Sequence, residues 1–100
     1  MNVKAVKNFN TLDLGIRLLF LIILGLDDSN KITLKKSDMT EFLNVSRQTA
    51  GRYIKTFVGC GMLKYKHSGL TFVNPDFYYI GKESERERIK EEYNRFNSDM

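Results

Sequence analysis

The sequence predicts a mainly α domain that carries a small β-hairpin and ends in an additional helix. Three observations predict it. Apolar residues recur at helical spacing over positions 12–26, 37–43, 47–60 and 84–96, with start and stop signals at the ends of these stretches. Two strand-like runs, Met62 to His67 and Leu70 to Val73, flank Ser68-Gly69, a plausible hairpin turn. The 100 residues, 42% hydrophobic with a single proline, suffice for one domain around one modest core.

Each element follows from local signals. Residues 1–9 read as a loose arm, and Asn10 or Thr11 is placed to cap a helix from about Leu12 to Leu26. From Leu18 onward apolar residues nearly encircle that helix, so it is expected to be deeply buried or shared with a second subunit. Asp27-Asp28-Ser29-Asn30 ends it as a turn. Lys31 to Lys35 alternates, with Ile32 and Leu34 on one side, and reads as a very short strand. Ser37 is expected to cap a second helix through about Leu43. Asn44-Val45 makes a tight turn, and Ser46 caps a third helix from Arg47 to about Cys60, which Gly61 terminates. After the hairpin, Asn74-Pro75-Asp76 breaks the strand, and Phe77-Tyr78-Tyr79-Ile80 is expected to pack as a short apolar turn. Ser84 with Glu87 forms a capping box for the last helix. Ile89, Tyr93 and Phe96 make its apolar stripe, and Glu91 is spaced to pair with Arg95. The division expected is a domain over residues 1–82 and a charged helix over 83–100.

Charge is unevenly distributed. Residues 1–82 carry 12 basic and 6 acidic side chains, whereas residues 83–100 carry 4 basic and 6 acidic ones. No Asp or Glu lies between Glu41 and Asp76, a gap that holds Arg47, Arg52, Lys55, Lys64 and Lys66. A basic, acid-free tract inside a folded domain points to a polyanionic partner. The abundance of Lys, Asn, Ile, Tyr and Phe fits A/T-rich coding. Other chemistries find no residues. The single cysteine, Cys60, is read as an inert buried thiol, and with one histidine, His67, it makes no metal cluster. No phosphate-binding glycine loop and no nucleophile–base pair stand out, so neither enzyme activity nor a cofactor is expected. The apolar run from Ile16 to Leu26 falls short of the roughly 20 residues a bilayer requires, and no cleavage site follows it. A cytoplasmic protein with no membrane association is expected.

The segment from Met39 to Leu63 resembles the bacterial helix-turn-helix superfamily. Met39 and Thr40 match the apolar and small residues opening the first helix, and Leu43 closes it. Val45 and Ser46 match the turn and the cap; Thr49, Ala50, Ile54 and Phe57 match the second helix; Gly61 and Leu63 match the exit into a wing. Each match has a physical reason. Ala50 lets two helices cross closely, Ser46 satisfies free amides, and Ile54 with Phe57 buries one face. The opposite face presents Arg47, Gln48, Gly51, Arg52 and Lys55, with Ser46 and Thr49 at its start. The resemblance implies that this helix enters the major groove, where Arg reads guanine and Gln reads adenine. Gly51 is anomalous, costing about 1 kcal/mol relative to alanine inside a helix. It reads equally as simple tolerance or as a site of close approach by DNA or another helix. Lys64 and Lys66 share one strand face, and His67-Ser68-Gly69 forms the wing tip. Contact of this wing with DNA is expected, against the alternative of an exposed edge guarded by lysines.

The run from Phe72 resembles the end of the RepL-type plasmid replication proteins of firmicutes, through Asn74, Pro75, Phe77, Tyr78, Tyr79, Gly81 and Lys82. Together these readings imply a winged helix-turn-helix protein of a plasmid or mobile element. It is expected to bind double-stranded DNA site-specifically as a homodimer. It would mark a replication origin, a transfer origin or a centromere for a replication, relaxase or partition protein. A transcriptional repressor of the same fold and a protein-only interaction module are the alternatives.

Overall fold

The computed structural model describes residues 14–99, so the expected N-terminal arm and the caps at Asn10 and Thr11 lie outside the described residues. Helix α1 spans Leu14–Leu24 and strand β1 spans Lys31–Thr33. Helices α2 (Lys36–Leu43) and α3 (Arg47–Gly59) follow, then strands β2 (Leu63–Tyr65) and β3 (Leu70–Val73). A 3-10 turn at Glu83–Glu85 leads into α4, Arg86–Arg95. This is the mainly α architecture with a β-hairpin wing that the sequence predicts. No helix among the described residues is long and apolar enough to cross a membrane.

The sheet has three antiparallel strands in the order β1-β3-β2, so the short first strand joins the hairpin through β3. Lys31 stands opposite Phe72, and Phe72 opposite Lys64, so these three share one face. Leu63, Tyr65 and Val73 point the other way, into a core with Leu18 and Ile22 of α1, Met39 and Leu43 of α2, and Ala50, Ile54 and Phe57 of α3. On the Phe72 side a second cluster forms with Ile89 and Tyr93 of α4. The Phe72 ring meets Tyr93 edge-on at 5.2 Å and Phe96 at 5.5 Å. The stripe of Ile89, Tyr93 and Phe96 is therefore spent within the chain. It covers the outer face of the sheet.

Helix α1 buries one face only. Leu18 and Ile22 are fully buried, but Ile16, Phe20 and Leu24, one turn apart on the other side, are 45%, 43% and 82% exposed. Other departures are local. The second helix starts two residues early: Lys35 is its cap position, and the Asp38 carboxylate accepts the Lys35 N–H, so Ser37 lies inside the helix. No Ser84 cap forms, because the chain enters α4 through the 3-10 turn. Arg88 pairs with Glu85 and Glu92, in place of the Glu91–Arg95 pair. Cys60 is exposed, since it caps α3 beyond the edge of the core. Of the four residues 77–80, only Tyr79 packs, against the Phe72 cluster; Phe77, Tyr78 and Ile80 face outward.

That last inversion has a specific cause at Asn30. This residue is fully buried with φ +65°, in the left-handed region that Asn tolerates. Its side-chain amide donates to the carbonyls of Val73 (2.8 Å) and Tyr78 (2.7 Å) and accepts the Ile80 N–H (3.4 Å). The backbone at residues 78 and 80 is thus drawn inward, and the side chains of Tyr78 and Ile80 turn out. Asn30→Ala is expected to cost about 2–4 kcal/mol, through lost buried hydrogen bonds and a strained backbone. Asn30→Gly should recover roughly 1 kcal/mol of that by relieving the positive φ. Urea denaturation of the two variants checks both values.

Candidate nucleic-acid interface

The interface is built from two tight turns. The first joins α2 to α3. Asn44 adopts φ +55° and ends α2, and the Val45 N–H returns to the Thr40 carbonyl at 3.3 Å. Ser46 then caps α3 as expected: its Oγ accepts the Thr49 N–H at 3.1 Å and contacts the Thr49 hydroxyl at 3.0 Å. Ala50, Ile54 and Phe57 anchor the helix in the core. Arg47, Gln48, Arg52 and Lys55 are left exposed.

The second turn is the wing tip. The Gly69 N–H donates to Lys66 O at 2.8 Å, and Gly69 holds φ +96°. Its carbonyl accepts the Leu34 N–H at 2.8 Å, which ties the tip to the entry of α2. A Cβ at Gly69 would lie 3.1 Å from the backbone of Leu34 and Lys35 in addition to the strained φ, so both space and conformation require glycine here. Below the tip, the buried Tyr65 hydroxyl donates to Leu34 O at 3.2 Å. Burial, aided by the charge of Asp38, raises its pKa. Burial likewise raises that of Tyr93.

These ties create an open cleft of about 780 Å³ between the start of α3 and the wing. Its walls are Lys35, Lys36 and Ser37 from α2 and its entry, Arg47 and Gln48 from α3, and His67 and Ser68 from the wing tip. Four of the expected site residues, Arg47, Gln48, His67 and Ser68, therefore meet around one concavity. Lys35, Lys36 and Ser37 were not anticipated. The tandem lysines at the start of α2 are the available signal, but the tie from Gly69 to Leu34 holds the wing tip beside them. On the outer side of α3, Thr49 and Arg52 line a second, smaller depression of about 300 Å³ with Tyr53 and Thr56. There the Arg52 guanidinium reaches the Thr49 hydroxyl at 3.4 Å.

Lys64 and Lys66 do not reach the cleft. They share a strand face, as their spacing requires, but that face is covered by α4. Lys64 Nζ donates to Tyr93 O at 2.8 Å, near the end of α4, and sits 4.5 Å from the Tyr93 ring centre. Lys66 Nζ lies 4.9 Å from the ring centre of Phe96. Among the described residues Gly51 is flanked by Lys36: a Cβ there would meet Lys36 Cε and Nζ at 3.8 Å, an ordinary contact. No other helix of the described residues crowds it.

Comparison with protein families gives one result. A family model described as "Firmicute plasmid replication protein (RepL)" matches residues 6–100. No curated protein and no solved structure matches the chain.

Two expectations follow from the packing. Lys64→Ala should cost about 1–2 kcal/mol of stability, because it removes a hydrogen bond and a cation–π contact. It should leave the salt dependence of nucleic-acid binding unchanged; thermal melts and salt titrations separate the two effects. Gly51→Ala should stabilise the free domain by up to about 1 kcal/mol, since nothing clashes with the added methyl. If that stabilised variant binds duplex DNA more weakly, the backbone at residue 51 is a point of close DNA approach.

Proposed function

Since the chain belongs to the RepL family of firmicute plasmid replication proteins, we propose that it acts by binding double-stranded DNA site-specifically at its plasmid's replication origin. The observation that carries this reading is the cleft flanked by Lys35, Lys36, Arg47 and the His67-Ser68 wing tip. A phosphate backbone passing there would meet three side-chain cations and displace condensed counterions, the main source of affinity for DNA. In this reading α3 enters the major groove. Gln48 and Arg52 face the base edges, Arg52 steadied by Thr49, while Arg47 grips phosphate beside the wing. Lys55 continues the exposed basic line. The protein performs no catalysis and marks the origin for other replication proteins.

We also propose that it binds as a homodimer through the outer side of α1. Ile16 and Leu24 lie two turns apart there, and burying both against a second copy would remove apolar surface from water. Sedimentation should show a dimer at micromolar concentration, with Leu24→Glu shifting it to monomer. A monomer for the unaltered chain, with and without DNA, would remove this part of the proposal.

The DNA reading is tested by fluorescence anisotropy with an origin duplex and a scrambled duplex across salt concentrations. Tight, salt-dependent and sequence-selective binding is expected. Arg47→Ala should weaken binding to both duplexes and lower the salt slope by about one unit. Arg52→Ala should cost about 1–3 kcal/mol on the origin duplex alone. Both exposed substitutions should alter stability by no more than about 0.5 kcal/mol. Unchanged DNA affinity in both variants would show that α3 does not face the DNA.

A further inference from the structure

We propose that the segment after α4 is a latch that positions the wing for DNA, with Ser98 and Asp99 as its positioning residues. The inference rests on the reading that the cleft beside the wing binds duplex DNA.

The wing needs such a support. It is a hairpin whose first strand, β2, has only three residues and lies at the outer edge of the sheet. A hairpin this short is marginal by itself, and an edge strand leaves every second N–H and C=O without a partner. In this chain residues 98 and 99 take the outward groups of Tyr65 and the N–H of His67. The Ser98 hydroxyl accepts the Tyr65 N–H at 2.9 Å and donates to the Tyr65 carbonyl at 2.7 Å. The Asp99 N–H donates to the same carbonyl at 3.0 Å. One step nearer the tip, the Asp99 carboxylate accepts the His67 N–H at 3.0 Å. The path of the segment is set upstream, where Phe96 packs on Phe72.

The wing tip is consequently held from two sides. Leu34 grips Gly69 on the side of α2, and Asp99 grips His67 on the outer edge. His67 and Ser68 are the wing's contribution to the cleft wall. Fixing the His67 amide fixes the direction in which these two residues leave the strand, before any DNA arrives. Order established in the free protein does not have to be established on binding, and affinity gains accordingly. The opposite action is also chemically conceivable, because the Asp99 carboxylate would repel a phosphate near the tip. The bonds favour support: the carboxylate is engaged by a backbone amide of the wing itself, and it is not among the groups that line the cleft.

The test compares the full chain with its Ser98→Ala/Asp99→Ala variant by two measurements. Amide hydrogen exchange, followed by NMR without DNA, reads the latch directly. Exchange at Tyr65 and His67 should accelerate about tenfold, with amides of α3 unaffected. Anisotropy with an origin duplex reads the consequence, an affinity about five- to tenfold lower. That loss should be non-additive with His67→Ala, which acts through the same wing, and additive with Arg52→Ala, which does not. A merely structural role would weaken all contacts alike and give no such pattern. Unchanged exchange would show that the latch does not hold the wing. Faster exchange with unchanged or tighter DNA binding would overturn the positioning role, the tighter case marking Asp99 as a repulsive element. If the unaltered chain fails to bind duplex DNA while both amides are protected, the DNA reading falls and takes the positioning role with it, leaving the latch as a structural contact only.

Discussion

The side-chain amide of Asn30 is the contact on which most of the architecture depends. It sits fully buried between the end of β3 and the loop that follows. The backbone carbonyl of Asn30 accepts the Val73 N–H at 3.0 Å, which starts the pairing of β1 with β3. One residue thereby fixes where the first helix hands over to the sheet and where the chain departs after the wing. A buried amide with unmet partners is costly, so the arrangement is close to all-or-none. Lys31, the next residue, carries that order onward through its ion pair with Glu92 of α4.

The sheet then works in two directions. Leu63, Tyr65 and Val73 hold the helices that form the cleft, while Phe72 on the reverse face holds α4. Lysines line that reverse face on both sides of Phe72, an uncommon choice for a packed surface. Their aliphatic stems cover the aromatic rings, and their ammonium groups find a carbonyl, a carboxylate or a ring face. The result is that positive charge in the wing strand serves packing, whereas Lys35 before α2 and Arg47, Arg52 and Lys55 of α3 face solvent.

This sorting of cations bears on function more than the total charge does. The overall balance of +4 would fit many proteins. The concave meeting of Lys35, Lys36 and Arg47 fits few, because like charges held at one mouth repel one another unless an anion comes between them. Their cost in the free protein is small, since each ammonium or guanidinium remains hydrated. The family membership and this cleft point in the same direction from unrelated grounds: one from the whole chain, the other from the geometry of a few side chains.

The sequence by itself determined the elements and the helix-turn-helix. Ser46 before a run with Ala50, Ile54 and Phe57 on one side admits little but a capped amphipathic helix, and Ser68-Gly69 between two apolar runs admits little but a hairpin. These are local signals, fixed by hydrogen bonds and side-chain spacing within a few residues. The tertiary structure alone decided what comes to cover each face. It sent Lys64 and Lys66 to α4 instead of the cleft, brought Lys35 and Lys36 opposite Arg47, turned residues 77, 78 and 80 outward, and exposed Cys60. The fates of Lys64 and Tyr78 depend on partners far along the chain, Tyr93 for Lys64 and Asn30 for Tyr78. Periodicity says that two residues share a face, but only the neighbour that arrives to cover the face decides whether it meets protein or solvent.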